Sequence, residues 1–465
     1  MPRGGGWRGR YGRGLRGWGM GAEADDWTEV TVAEIAAGTP NALSTGPFGS
    51  AIGAQYFEPT GVPIIRGGNL SEHVGVRLND AGLVFLSPQK ASEFGRSVVR
   101  QGDLIFTCWG TIGQVGLVDS RAKYREYVIS NKQMKLTPDT AKADSLFLYY
   151  LFKSPDVMGR IVGQKIGSSV PGFNLGQLRA IRLRLPPLAE QRAIARIISA
   201  LDDKIELNRK TIETLEAMAR ALFKSWFVDF DPVRAKMEGR RPEGMDEETA
   251  ALFPGALEAS ELGPVPSGWR VEPLDAVASF LNGLALQKFP AMEGAPSLPV
   301  IKITELRRGN TTTSDRASTN VPPEYNVVDG DVLFSWSGSL MAVVWSGGAG
   351  ALNQHLFKVT SDRFPRWLYY RWVVLHLPEF QAIAAGKATT MGHIQREHLT
   401  RALVAVPPAP LVARAGGVLA PLEDRRLRLA LESRRLGSLR DALLPRLMSG
   451  ELRVPDAERV MEAGT

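Results

Sequence analysis

The chain has 465 residues, 44% of them hydrophobic and 23% charged, which is an ordinary composition for a globular protein. This length exceeds what one hydrophobic core supports, so two or three domains are expected. The single cysteine, Cys108, excludes a disulfide framework and a cysteine-based zinc site, and its apolar neighbours predict a buried, inert thiol. No run of about 18 uncharged apolar residues occurs, so we expect no membrane span and a reducing, cytoplasmic setting.

The net charge of +7 is concentrated at the N-terminus. Residues 1–20 contain five arginines, many glycines and no acidic residue, and so supply five of the seven excess positive charges. Such a tract fits a disordered nucleic-acid-binding arm, and it also fits sequence upstream of the true start codon. We favour the second interpretation and treat residues 1–26 as a disordered or mis-annotated tail.

The rest of the chain repeats itself, which is the most informative feature of the sequence. Corresponding segments keep their order in the two halves, although their spacing differs near the start. The pairs are WTEVTVAEI from Trp27 with WRVEPLDAV from Trp269, VPIIRG from Val62 with LPVIKI from Leu298, GDLIFTCWG from Gly102 with GDVLFSWSG from Gly330, Asn131-Lys132-Gln133 with Asn353-Gln354-His355, FLYYLF from Phe147 with WLYYRW from Trp367, and RLRLPPLAEQRA from Arg182 with LVAVPPAPLVAR from Leu403.

Each half is predicted to form a mixed α+β module, over residues 27–185 and 269–406. In the first, β-type runs are expected at 62–66, 103–109 and 115–118, followed by a short helix at 146–152. In the second, the matching strands are expected at 299–303, 332–336 and 341–345, with a helix at 367–375. Both modules are predicted to end in a strand before a proline pair.

A long helix is predicted after each proline pair, over 186–226 and 407–452. Apolar residues recur in both with the four-three or seven-residue spacing of a coiled-coil seam, although the second seam is poorer. A core helix in a bundle shows similar stripes, but both helices hold the same place after a repeated module. The predicted seam residues are Ile194, Ile198, Leu201, Ile205, Asn208, Ile212, Leu215 and Leu222 in the first helix, and Leu419, Leu422, Leu429, Leu436 and Leu443 in the second.

Residues 227–268 join the halves, and residues 453–465 form a C-terminal tail. The joining segment is rich in Pro, Gly and Glu, which predicts a partly ordered connector without a core of its own. The predicted fold class is therefore α+β, with two pseudo-repeated modules separated by two long antiparallel coiled-coil helices.

The run from Pro186 to Val233, PPLAEQRAIARIISALDDKIELNRKTIETLEAMARALFKSWFVDFDPV, closely resembles the central region of type I restriction-modification specificity subunits. LLPRLMSGELRV from Leu443 resembles the C-terminal helix end of that family. GPFGS from Gly46, GDLIFTCWGTIG from Gly102 and the segment 167–187 resemble elements of its target recognition domains. The likeness covers about residues 27–455. SWSGSL from Ser335 and GHIQREHL from Gly392 depart from the first module, which makes residue-by-residue transfer uncertain there.

This resemblance implies a non-catalytic DNA specificity subunit with two target recognition domains, each of which reads one half of an interrupted, asymmetric target. It implies double-stranded DNA and two modification subunits as partners, to which restriction subunits can be added. Those modification subunits would hold S-adenosylmethionine and methylate adenine, so no cofactor is expected in this chain. A coiled-coil scaffold, or an orphan DNA-binding protein not coupled to restriction, remains the alternative.

An enzyme should show catalytic motifs, and the sequence offers only weak ones. No Asn/Asp-Pro-Pro-Tyr/Phe motif of an amino-methyltransferase is present, and Gly386-Lys387 lacks the surrounding residues of a phosphate-binding loop. Asp202-Asp203-Lys204 matches part of a nuclease pattern, but it falls on the predicted coiled-coil helix. The five histidines lack the spacing of metal ligands, so no metal site is expected.

A protein that recognises a DNA sequence needs loops with Arg, Lys, Asn, Gln and Thr side chains, which bind phosphates and base edges. A coiled-coil scaffold needs no loops of this kind. The loops of both halves supply them at corresponding places. Any single residue among them fits a solvated loop side chain or a turn cap at least as well, and the tryptophans fit core positions. The candidate DNA-binding residues are Arg66, Asn69, Thr107, Trp109, Thr111, Asn131, Lys132, Gln133, Lys165, Ser168, Ser169 and Asn174 in the first module, and Lys302, Thr304, Arg307, Arg308, Trp336, Ser337, Asn353, Gln354, His355, Lys387, Thr389, Thr390, His393 and Gln395 in the second.

Overall fold

The computed structural model describes residues 26–164, 172–386 and 392–464. The chain divides into two units. Unit 1 comprises residues up to Lys204 together with those from Leu436 onward, and unit 2 comprises Ile205–Arg435. Because each long helix crosses this division, each unit contains one α+β module and one stretch of both long helices.

Unit 1 contains two four-stranded sheets and a two-stranded ribbon. The sheets have the strand orders β2-β9-β6-β7 and β4-β3-β8-β5, and the ribbon pairs β1 with β10. All pairings are antiparallel except that between β3 and β8. The strands are β1 (Thr28–Thr31), β2 (Leu43–Thr45), β3 (Val62–Ile65), β4 (Val84–Leu86), β5 (Val98–Arg100), β6 (Leu104–Thr107), β7 (Val115–Leu117), β8 (Glu126–Ile129), β9 (Gln133–Leu136) and β10 (Arg182–Leu185); the helices are α1 (Val32–Ile35), α2 (Pro88–Ser92), α3 (Ser145–Lys153), α4 (Pro155–Gly163), α5 (Leu175–Ala180) and the first part of α6 (Leu188–Phe227).

Unit 2 repeats this topology strand for strand after the connector, residues 227–268. Its sheets have the orders β14-β21-β18-β19 and β16-β15-β20-β17, its ribbon pairs β13 with β22, and β15 and β20 are parallel like their counterparts. The elements are α7 (Asp231–Met237), α8 (Glu247–Ala251), β11 (Leu257–Ser260), β12 (Gly263–Pro266), β13 (Arg270–Pro273), α9 (Leu274–Val277), β14 (Ser279–Asn282), β15 (Ser297–Ile301), α10 (Ile303–Arg308), β16 (Arg316–Ser318), β17 (Asn326–Val327), β18 (Val332–Ser335), β19 (Ala342–Val344), β20 (Gly350–Leu352), β21 (Leu356–Thr360), α11 (Arg366–Ala385), α12 (Arg396–Arg401), β22 (Leu403–Val406) and the first part of α13 (Ala409–Ser449); α14 (Val454–Gly464) belongs to unit 1.

The fold class predicted from the repeat is therefore confirmed, and the observed strands β3, β6, β7, β15, β18 and β19 fall within one or two residues of the expected runs. β6 and β18 are inner strands of their sheets, and every one of their side chains is buried. Burial on both faces explains why their sequences are nearly continuous apolar runs. The ribbon of β1 with β10 brings the first and last strands of the module together. No sequence pattern indicated that pairing, because its partners are far apart in the chain.

The helix after the sheets differs between the modules. In unit 1 it is divided at Ser154-Pro155 into α3 and α4, because Pro155 takes the first position of α4 and cannot continue α3. In unit 2 the corresponding α11 continues for 20 residues, with Pro378 inside it. Both helices bury an aromatic pair, Tyr149-Tyr150 or Tyr369-Tyr370, in the main hydrophobic cluster of their unit.

The long helices pack against each other in opposite chain directions within each unit. In unit 1, Ile194, Ile198 and Leu201 of α6 share a buried cluster with Leu443 and Leu447 of α13. In unit 2, the α6 residues Ala219 and Phe223 share one with Leu411, Ala415 and Leu419 of α13. Residue numbers rise along one helix as they fall along the other, so the arrangement is antiparallel. Of the remaining seam residues, Leu429 is buried, whereas Ile205, Ile212, Leu215, Leu222, Leu422 and Leu436 are half-buried.

Polar contacts interrupt this apolar seam at defined positions. In unit 1, the buried Asp202 of α6 accepts hydrogen bonds from Arg440 of α13 at 2.8 Å and from the Tyr150 hydroxyl at 2.8 Å. In unit 2, the buried amide of Asn208 donates to Glu432 at 2.9 Å and to Ser433 at 3.3 Å. A buried Asn on a seam disfavours registers in which it would lose its partner.

A buried charge network joins the second module to the helices of unit 2. The Arg371 guanidinium, 2% exposed, donates to both carboxylate oxygens of Glu216 in α6 at 2.8 and 2.9 Å and also bonds Glu423 in α13. Arg426 contacts the same two glutamates. Burial alone would raise the pKa of Glu216, but hydrogen bonds from Arg371 and the nearby positive charges outweigh it and lower that pKa.

Different residues connect the first module to the long helices in unit 1. Arg77 of the first module donates to Asp119 at 2.6 Å, to the Tyr150 hydroxyl at 3.0 Å and to Ser199 of α6 at 3.0 Å. The Tyr150 hydroxyl in turn reaches Asp202. Asp202 and Asp203, which matched part of a nuclease pattern, are thus engaged in ion pairs with Arg440 and Arg121. Each module is therefore fixed to the long helices by an arginine that is almost fully buried.

The connector is more ordered than its composition predicts. Residues 231–237 and 247–251 are helical and residues 257–266 form a hairpin. Phe230, Val233, Phe253 and Val265 are buried in the main cluster of unit 2 with Trp269. Although the connector has no core of its own, it forms part of the core of unit 2. This packing was not predicted from the sequence, because the apolar residues of the connector are widely spaced.

We expect Arg371→Met to lower the free energy of unfolding of unit 2 by about 3–5 kcal/mol, because it leaves Glu216 and Glu423 buried without their partner. The matched control is Arg363→Met, which removes a similar two-bond pair with Glu272 at the surface and should cost less than about 1 kcal/mol. Urea unfolding followed by tryptophan fluorescence measures both, since six of the ten tryptophans lie in unit 2. Equal, small losses would contradict a structural role for the network.

Candidate nucleic-acid interface

Five loop segments converge at one end of each module. In unit 1, main-chain hydrogen bonds run from Gly46 to Gln133 (3.0 Å), from Ser130 to Ile65 (3.0 Å), from Cys108 to Lys132 (2.8 Å) and from Phe173 to Cys108 (2.9 Å). These bonds join the segments 46–50, 66–69, 107–111, 130–133 and 172–174. We call this group of segments loop end 1.

Unit 2 builds the same group with four corresponding bonds. They run from Gly283 to Leu356 (3.0 Å), from Asn353 to Ile301 (3.2 Å), from Trp336 to His355 (3.4 Å) and from Ile394 to Trp336 (3.0 Å). The segments 283–287, 302–305, 335–339, 353–356 and 392–395 therefore form loop end 2. Because main-chain atoms make these bonds, the side chains can differ while the framework stays the same.

A glycine at the start of each group permits this close approach. A Cβ atom on Gly46 would lie 1.9 Å from the carbonyl oxygen of Ser130, and one on Gly283 would lie 2.2 Å from that of Asn353. Any other residue would force the two segments apart, since Cβ contacts below 3.0 Å essentially do not occur.

These bonds correct one detail of the sequence comparison. Ser130, and not Asn131, corresponds to Asn353, so Asn131 matches Gln354 and Lys132 matches His355. The sequence pairing was wrong by one position because it matched the identical residues Asn131 and Asn353. The turns differ in sequence, whereas the strand register is the same in both modules. Trp336 corresponds to Cys108 and Ser337 to Trp109, as the pairing of GDLIFTCWG with GDVLFSWSG predicts.

The candidate DNA-binding residues fall into three groups. One group is exposed and available to a ligand, another is half-buried at the rim, and the last is buried and bonded within the module. The exposed residues are Arg66, Trp109, Thr111, Asn131, Lys132, Asn174, Thr304, Arg307, Arg308 and Gln395; the half-buried ones are Lys302, Trp336, Gln354, His355 and His393; the buried ones are Asn69, Thr107, Gln133, Ser337 and Asn353. Lys165, Ser168, Ser169, Lys387, Thr389 and Thr390 lie outside the described residues.

The buried candidates hold the loops in shape. Asn69 accepts a bond from the Arg66 amide at 2.9 Å and donates to Asn79 and Ala81, so its amide is fully engaged within unit 1. Glu305 caps the Lys302 amide in the same way at 3.0 Å. Gln133 accepts from the Ser130 amide at 3.0 Å, and Thr107 donates to Gln114 at 3.1 Å.

The cations of the two loop ends have different partners. Arg66 donates to the carbonyl oxygen of Gly82 at 3.1 Å and lies near the Phe57 ring, which leaves its other donors at the surface. Lys302, at the corresponding position, forms an ion pair with the exposed Asp315. Arg307 and Arg308 of α10 donate to Ser339 and Thr313.

Cys108 and the His, Asp and Glu side chains are the groups that could bind a metal ion or act as a nucleophile. Among the described residues, no group of three or more His, Cys, Asp or Glu side chains could hold a metal ion. Burial raises the pKa of the Cys108 thiol to about 11, so it is not a nucleophile near neutral pH. Within the same described ranges, no helix is long and apolar enough to cross a membrane.

Both loop ends carry donors, cations and aromatic rings, which are the groups with which proteins contact the phosphates and base edges of nucleic acids. Residues 25–217 match the family model described as the type I restriction modification DNA specificity domain. The HindI specificity subunit of Haemophilus influenzae is 24% identical over 405 residues, covering 77% of this chain and 88% of that protein. The MjaIX specificity subunit of Methanocaldococcus jannaschii is 24% identical over 380 residues, covering 80% and 82%.

A solved structure agrees with this likeness at the level of the fold. The type I restriction-modification S subunit from M. genitalium matches with a TM-score of 0.51 and 15% identity, covering 90% of this chain and 96% of that one. The chain is therefore similar in sequence to type I restriction-modification specificity subunits over about four fifths of its length, and residues 25–217 match their DNA specificity domain.

Proposed function

We propose that this subunit reads an interrupted, asymmetric DNA target, with one half-site read by each loop end. The observation that carries this proposal is the set of four corresponding main-chain hydrogen bonds, which build one framework twice. The side chains on that framework differ, since Asn131 and Lys132 stand where the second module has Gln354 and His355. Two copies of one framework with different donors and acceptors suit two different half-sites.

The exposed residues of each loop end are the proposed DNA contacts. The exposed Arg66 and Lys132 carry positive charges that suit phosphates or guanine edges, and Asn131 and Gln354 carry amides that suit adenine. Asn69, Thr107 and Gln133 support the loops from within. This division narrows the candidate set to side chains that a DNA duplex can reach.

We further propose that two modification subunits, and in some complexes restriction subunits, join this chain on DNA. S-adenosylmethionine would be held by the modification subunits, so this chain supplies target choice and positioning and needs no cofactor. Such a complex would act in the cytoplasm, in contact with the cellular DNA. A scaffold, or a DNA-binding protein uncoupled from restriction, would require no modification partner.

Exchanging residues 269–406 for the second module of another specificity subunit tests this function. The methylated motif should change in one half-site only, because the loop ends belong to separate units. Long-read sequencing of DNA methylated by the hybrid complex reports both half-sites at once, and the unexchanged complex is the control. A change in both half-sites would contradict independent reading, and loss of motif preference without loss of complex assembly would contradict the DNA-reading role.

Alanine at exposed cations should weaken DNA binding through lost phosphate or base contacts. If Lys132 contacts a phosphate, Lys132→Ala lowers affinity for all sequences and reduces the slope of log K against log salt by about 1. If Arg66 reads a base edge, Arg66→Ala relaxes one motif position. The matched control is Arg182→Ala, which removes an exposed cation paired with Glu29 in the β1–β10 ribbon. Unchanged affinity, slope and motif in both variants would remove these residues from the interface.

A further inference from the structure

Two aromatic side chains stand exposed on loop end 1. Phe48 is 75% exposed and Trp109 is 50% exposed, although large aromatic rings are usually buried. A single exposed ring needs no explanation, but these two belong to the same group of converging segments. The Gly46 and Cys108 amides bond to Gln133 and Lys132, so Phe48 and Trp109 follow directly on either side of the turn that presents Asn131.

The backbone under both rings is fixed. Gly46 lies against Ser130 too closely for any Cβ atom, and the ring of Pro47, directly before Phe48, fixes the φ angle of Pro47. The Trp109 ring packs on the backbone of Gly172, where an added Cβ would lie 2.7 Å from ring atom Cζ3. Rings held in this way lose little conformational freedom when they bind a ligand.

The surroundings of the rings suit a polyanion. The five segments of loop end 1 include Arg66 and Lys132 and contain no Asp or Glu. The Arg96 guanidinium lies 5.9 Å from the centre of the Phe48 ring. Exposed aromatic rings among cations and amide donors match base stacking beside phosphate contacts better than they match an apolar protein partner.

Loop end 2 lacks both rings, which makes the two modules unequal. The position of Phe48 is taken by Ala285, counted from the matching glycines, and that of Trp109 by Ser337, which is 3% exposed. Trp336 does not replace them, because it is half-buried, donates to Asn282 at 2.9 Å and packs on Phe357.

Resting on the proposed DNA-reading function, we infer that Phe48 and Trp109 stack on bases of the half-site read by the first module, with Phe48 inserted at a base step. Partial unstacking costs a few kcal/mol, and contact of an otherwise exposed ring with base faces offsets it. The second module then reads its half-site without such insertion. Distortion of the DNA is then confined to the half-site that the first module reads.

The test uses the complete complex with its modification subunits and duplexes that carry the motif found by methylation mapping. 2-Aminopurine replaces one base at a time in both half-sites, except at the methylated adenine, where flipping by the modification subunit would interfere. Its fluorescence should rise at one or two positions in the first module's half-site, which the module exchange identifies. Phe48→Ala should abolish the rise at the inserted step and weaken binding about 10-fold, and Trp109→Ala should weaken binding to a similar extent.

The control variant is Met237→Ala, which removes a side chain 55% exposed on connector helix α7 and should change neither readout. Unfolding temperatures check that the exposed substitutions leave the fold intact. Wild-type fluorescence and affinity in both ring variants, or a rise confined to the second module's half-site, would overturn the inference. So would variants that lose a modification subunit while DNA contact is unchanged. If the wild-type complex shows no preference for the motif over a scrambled duplex, the proposed function itself fails.

Discussion

The antiparallel register of the two long helices is the constraint on which the rest of the structure depends. Apolar side chains alone would tolerate a slip of one heptad, because a similar stripe would meet a similar stripe. Buried polar contacts remove that freedom. Asp202 meets Arg440 in unit 1, and Asn208 meets Glu432 while Glu216 meets Arg426 in unit 2. A slip would leave these groups buried without partners, at a cost of several kcal/mol.

The recognition modules are bound to this helix pair through the same groups. Arg77 reaches Ser199 and the tyrosine that contacts Asp202, and Arg371 reaches Glu216 and Glu423. Within each unit, the register of the helices therefore also fixes the position of the module on the helix pair. The loop ends can vary in side chains without disturbing this framework, because main-chain atoms make their internal bonds. That separation of framework from reading surface suits a protein whose role is to choose a DNA target.

The sequence predicted the repeated architecture, because order-preserving similarity and seven-residue spacing survive the divergence of the halves. It missed the β1–β10 ribbon and the packing of the partly ordered connector into the core of unit 2, since their contacts join residues far apart in the chain. The candidate site was predicted as a set of loops but not as individual side chains. Asn69 and Arg66 share a loop and a polar character, yet only the fold makes one a buried cap and the other exposed. Phe48 was missed because exposure leaves no periodic signal.

A disulfide across the helix pair tests the observed register most directly. Cysteines at Asn208 and Ser433, whose side chains are 3.3 Å apart, should form a disulfide, whereas Leu215→Cys with Ser433→Cys lies about 10 Å out of register and should not. The buried Cys108 thiol, with its raised pKa, should not interfere. The account predicts that the oxidised 208–433 complex methylates the same motif as its reduced form. Cross-linking of the shifted pair, or a motif lost on oxidation and regained on reduction, would contradict it.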